Sequence, residues 1–116
     1  MRASIERGTD GVLNTGFALM EGDPHTEATA DLPLRMDHAG AWETSCMQYA
    51  EAERVDMDEL RGRTLSSDET LVHTAAEGIS GQNPVKHASA EMGQRIIERM
   101  GESIGRRSLD LLQGLT

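Results

Sequence analysis

Aromatic side chains are nearly missing from this chain: Phe17, Trp42 and Tyr49 are its only Phe, Trp and Tyr. An interior with so few rings has to be filled by Leu, Ile, Val and seven Met, and Met fills space while specifying it loosely. With 116 residues and 37% apolar content, the chain is one domain at most, with a modest core. The single cysteine, Cys46, excludes an internal disulfide and is expected as an inert helix residue facing inward. No apolar run is long enough to cross a bilayer, and the opening MRASIERGTDG lacks the apolar centre of a signal peptide. Bases are scarce too: eleven Lys and Arg stand against twenty Asp and Glu, a net charge of -9, which argues against unspecific binding to a phosphate backbone. The expected setting is cytoplasmic, with neither nucleic acid nor membrane as partner.

The chain falls into four stretches. Residues 1–35 read as loop and strand, with VLNTGFALM (12–20) the best strand candidate and GDPHTEATADLPL (22–34) an extended loop, because its prolines and mixed polar residues follow neither period. Residues 36–62 hold a polar turn and then a helix from Trp42 to about Glu53, where Cys46, Met47 and Ala50 recur at helical spacing; VDMDELRG (55–62) adds a short turn of helix closed by Gly62. Residues 63–83 are a connection, with a short strand or helix near Leu71 and Val72. Residues 84–113 read as one final helix: Asn83-Pro84 is a start signal, and Ala88, Met92, Ile96, Met100 and Ile104 repeat every four residues, with Ile97 widening the stripe. Gly93, Gly101 and Gly105 each weaken that helix by about 1 kcal/mol relative to Ala, so packing must hold it.

Chemistry concentrates in MDHAGAWETS (36–45). His38, followed by Ala39 and Gly40, sits on a tight turn ahead of a helix, where small residues let backbone approach a ligand and free amides face the same space. Asp37 can act as a base or fix the imidazole tautomer, and Glu43 can reach back from the first helical turn. A lone His near an acid is more often structural, and Glu43 has an equally good role on the helix dipole. His25, His73 and His87 lie scattered in polar surroundings and receive no ligand role.

The pattern His38-Ala39-Gly40, two residues, then Glu43-Thr44-Ser45 resembles the signature of the creatininase family of metal-dependent amidohydrolases. AEAERVDMDEL (50–60) is similar to the family segment that ends the helix and passes a Val-Asp pair. GISGQNPVKHASAEMGQRII (78–97) resembles the closing pattern that opens the final helix. The agreement spans residues 34–104 and matches the C-terminal portion of a full member. It implies an α/β fold, a partial α/β/α layered arrangement with a mostly parallel sheet, in which this chain contributes mostly helices and loops with one or two strands. It also implies a divalent metal pair, Zn or Mn, that activates water.

The family's earlier metal-donor tracts are not found here, and EGDPHTEATAD (21–31) departs from them in spacing. The resemblance thus implies a chain without metal ligands of its own, completed by a missing N-terminal half or by another chain, and a homo-oligomer when complete. Asp37 and His38 take the place of proton carriers, Glu43 that of a loop-orienting or reacting acid, and Gly40 and Trp42 border a small-molecule substrate. Opening an amide needs one proton taken from water and one given to the leaving nitrogen, and an imidazole can do both near neutral pH. Three functions are then expected: hydrolysis of a cyclic amide or related carbon–nitrogen bond; opening of an inosose-type cyclic ketone in inositol breakdown, because of Trp42 within the turn; or a non-catalytic helical piece that binds a partner through the Ala88 to Ile104 stripe.

Overall fold

Helix ends in this chain are set by short polar side chains and prolines. The computed structural model describes residues 24–71 and 77–114. In them lie helices α1 (Pro24–Ala28), α2 (Ala41–Ala50), α3 (Met57–Arg61), α4 (Pro84–His87) and α5 (Ala90–Gly114), a 3-10 turn (Ala52–Arg54), and strands β1 (Thr70–Leu71) and β2 (Gly81–Gln82). The described residues are thus mostly helix and loop with two short strands, as the partial α/β reading expects. The strands pair antiparallel, Thr70 opposite Gln82 and Leu71 opposite Gly81. The strand candidate at 12–20, together with His73, lies outside the described residues.

By compactness the chain divides into two units, one running Asp31–Glu98 and the other taking Met1–Ala30 and Arg99–Thr116. In the first unit, Leu32, Leu34, Ala41, Trp42, Leu71, Ile79 and Ile96 form the core. Ile96 is fully buried, and its truncation to Ala would cost about 2–5 kcal/mol through lost burial and the cavity left behind. The approach of α5 to α2 depends on Gly93: a Cβ there would run into the carbonyl group of Ser45. Its missing side chain, which in isolation weakens the helix, is what lets the two backbones touch. Beside that contact, the fully buried Ser45 accepts a hydrogen bond on Oγ from the Ser89 amide at 3.1 Å.

Three elements differ from the sequence reading. The expected extended loop at 22–34 contains α1, where Pro24 takes a first-turn position that needs no N–H and Glu27 lies on the favourable end of the dipole. The helix of residues 42–53 closes at Ala50 and continues as the 3-10 turn Ala52–Arg54. The single final helix is two. Asn83 caps α4 by accepting the Val85 amide at 2.9 Å, Ala88 is extended, and Ser89 then accepts the Met92 amide at 3.1 Å and restarts the helix as α5. A serine hydroxyl that satisfies an orphan N–H favours a new start over continuation.

α3 follows expectation, capped by Asp56, which accepts from the Asp58 and Glu59 amides at 3.0 and 3.4 Å, and closed at Gly62. In the second unit, residues 99–114 of α5 carry a hydrogen bond from Ser108 Oγ to the Ile104 carbonyl at 2.8 Å and a pair of Arg106 with Glu102 at 3.4 Å. Leu109 and Leu112 on this stretch are exposed. No helix among the described residues is long and apolar enough to cross a membrane.

Candidate functional site

The N-terminus of α2 has a defect that its own sequence cannot repair. Its N-cap is Gly40, which has no side chain to accept the first amides. Asp37, three residues earlier, takes that role: Oδ2 accepts the Trp42 amide at 2.8 Å and Oδ1 the Glu43 amide at 3.2 Å. Burial raises the Asp37 carboxyl above its ordinary value of 3.8, while the backbone N–H groups of Trp42, Glu43 and Gly40 pull the other way. A half-buried carboxylate whose oxygens both face backbone donors is a geometric anchor.

Glu43 closes the turn from the other side. Its Oε2 accepts the Ala39 amide at 2.6 Å, the reach-back of a capping box displaced by one residue. Between the two carboxylates Ala39 adopts φ 55, the left-handed region that a residue with a Cβ enters at a cost of about 1–3 kcal/mol. His38 is tied across to the segment before β2: its amide donates to the Ser80 carbonyl and the Ser80 amide donates back, each at 2.9 Å. The His38 ring is exposed and has no hydrogen-bond partner among the described residues.

Asp37, His38 and Glu43 are therefore brought together in one rigid turn, and their backbone and carboxylate bonds hold each other. Beside Ala39 and Glu43 opens a cleft of about 570 Å³, which neither Asp37 nor His38 lines. Ala39 and Glu43 form one wall, Met47, Leu60 and Ile79 supply apolar surface, and Arg54 brings a cation. Trp42 stands elsewhere. At 5% exposure it belongs to the core, because the first turn of α2 aims it inward, away from the cleft wall made by Ala39 and Glu43. The space above Gly40, where a ligand was expected to approach, holds the Asp37 side chain. Cys46 is half-buried, and burial followed by the charges of Asp37 and Glu43 pushes its thiol up, consistent with an inert thiol.

A model of the creatininase family, described as creatinine amidohydrolase, matches residues 3–107. The chain belongs to the creatininase family. The match extends well beyond the 34–104 stretch that carries the readable motifs, so residues without a recognisable pattern are part of the same family domain. Neither the curated proteins nor the solved structures contain a match to the chain. Creatininase-family proteins are hydrolases of the amidohydrolase kind and are in general metal-dependent. Among the described residues no three of His, Cys, Asp and Glu come together as an ion would require, and both Asp37 oxygens already serve backbone amides. The described residues do not by themselves make a metal centre.

What sequence reasoning missed is the partner of the turn. Ser80, Gly81 and Gln82 lie against residues 37–40, and GISGQNP, which holds all three, was legible as a family motif without any sign of what it faces.

Proposed function

We propose that this chain contributes the His38 turn to a hydrolase that opens a cyclic amide or a related carbon–nitrogen bond, with His38 as the group that moves protons. The observation that carries the reading is the left-handed Ala39, held at φ 55 between two anchoring carboxylates. Strain that the surrounding structure maintains, beside a cleft and next to an exposed imidazole, is the pattern of a functional turn. Asp37 and Glu43 act on this reading through position: their oxygens are committed to backbone amides, so they hold the backbone of the turn and leave the ring free to take a proton from water and return one to the leaving nitrogen. Metal donors come, on this reading, from residues outside the described set or from another polypeptide that completes the site.

The inosose reading rests on Trp42 standing within the turn of the sequence, and the burial of that ring in the core adds nothing to it. Product analysis separates the two. The form of the protein that shows turnover is offered a panel of cyclic amides and inososes. Ring-opened carboxylate with a freed nitrogen supports the amide reading; turnover of the ketones alone rejects it.

A further inference from the structure

We propose that Gly40 and Gly81 form a side-chain-free seat for the Asp37 carboxylate, and that this seat fixes the direction in which the turn presents His38. Both glycines are thereby positioning residues that act through Asp37. The second half of the proposal rests on His38 as the proton-moving group; the seat itself stands or falls without turnover.

The two glycines come from distant parts of the sequence and meet one side chain. A Cβ on Gly40 would overlap Asp37 Oδ2, lie 2.8 Å from Asp37 Cγ and stand 3.1 Å from the Gln82 carbonyl oxygen. A Cβ on Gly81 would overlap Asp37 Cβ and lie 3.2 Å from Oδ2 and 3.3 Å from Cγ. Gly81 also has φ +122, a conformation that L side chains rarely adopt. Gly40 does not: at φ -87 and ψ -157 its backbone is extended, and any residue adopts it. Conformational freedom therefore does not explain a glycine at position 40. Space does, and Asp37 occupies that space. The carboxylate so placed is within reach of the Trp42 and Glu43 amides, and the pair of backbone hydrogen bonds between His38 and Ser80 holds Asp37, the neighbour of one, against Gly81, the neighbour of the other.

Because Gly40→Ala adds one methyl group at an extended backbone, its severest contact is with Asp37, and the Asp37→Ser background separates that contact from the one with the Gln82 carbonyl oxygen. Amide hydrogen exchange by NMR is measured on the full chain and on Gly40→Ala, Asp37→Ser and the double variant. Exchange at Trp42 and Glu43 is expected to speed up about tenfold in Gly40→Ala, with shifted His38 ring signals, and by less than about twofold when the same change is made on Asp37→Ser. Equal losses in both backgrounds overturn the seat. If Gly40→Ala fails to fold, the double variant is expected to recover folding, and its failure to do so overturns the seat as well. In the form that shows turnover, Gly40→Ala is expected to lower kcat about tenfold with KM nearly unchanged, the signature of a misplaced reacting group. A loss confined to KM rejects the positioning role. If His38→Ala leaves kcat unchanged while the exchange pattern holds, the reading of His38 falls, the positioning role falls with it, and the seat remains as a structural fact.

Discussion

Two places in the Asp31–Glu98 unit set a carboxylate beside a histidine-bearing segment, and they are built on opposite principles. At the turn of residues 37–43, Asp37 is half-buried and bonded to backbone amides, glycines close around it, and the imidazole of His38 is left without a partner among the described residues. At the α4 end, Glu69 is exposed and its carboxylate goes directly to side chains: Lys86 Nζ at 2.5 Å and His87 Nε2 at 2.9 Å. Backbone donors cannot move away, so the first arrangement fixes geometry. Long exposed side chains can, and water and salt compete for them, so the second fixes little. In the sequence the two differ as well, Asp37 standing next to His38 and Glu69 18 residues before His87; only the first ties its carboxylate to backbone.

The comparison can be broken most directly through turnover. His38→Ala should lower kcat by about 10²–10⁴-fold, the range for a lost proton carrier, while His87→Ala should leave it within about threefold; steady-state kinetics on both variants checks this, and equal losses would erase the distinction. Stability comes next. Asp37→Ala removes the cap of α2 and should destabilise the fold by about 1–2 kcal/mol, read as a lower denaturant midpoint with an unchanged slope.

The pH dependence of the two carboxylates should differ in sign. Burial raises Asp37 above 3.8, so the folded state binds that proton more tightly than the unfolded chain. Its contribution is full below the unfolded value and is lost as pH rises through the folded one. The hydrogen bond from Lys86, and then that of His87, lowers Glu69 below 4.5, so its contribution is present above the unfolded value and is lost as pH falls through the folded one. Melting temperatures of the wild type minus Asp37→Asn and minus Glu69→Gln, scanned through the acid range, should slope in opposite directions. The smallest effect is that of salt. The Glu69→Gln difference should shrink toward nothing in 0.5–1 M salt, roughly the range where the screening length nears a contact distance, and the Asp37→Ala difference should persist; a persistent Glu69 effect would show that the exposed cluster is more rigid than its exposure implies.

Much of the local structure was readable. Asp56 with Gly62 bracketed α3, and Asn83-Pro84 opened α4, because caps and prolines act through neighbours in the chain. The His38-Ala39-Gly40 and Glu43 pattern marked the turn, and a charge in the first helical turn pointed to Glu43 as the residue that reaches back. Less readable were the break at Ala88-Ser89, where an unbroken apolar stripe concealed a serine cap, and the inward direction of Trp42, since a residue of the first turn can face core or cleft with the same sequence around it. Gly93 showed only its helix penalty; its use emerges with Ser45 pressed against it.

By itself the sequence determined the starts of α3 and α4, the polar turn ahead of α2 and the family to which the chain belongs, all of which depend on residues a few positions apart. Tertiary structure alone decided that Ser80 and Gly81 would close over the turn, that Gly93 would meet Ser45, and that Trp42 would face the core. The reason is distance along the chain. The methyl-sized gaps at Gly40, Gly81 and Gly93 acquire meaning only from the atom that fills each one, and at Gly81 and Gly93 that atom is contributed by a segment more than forty residues away.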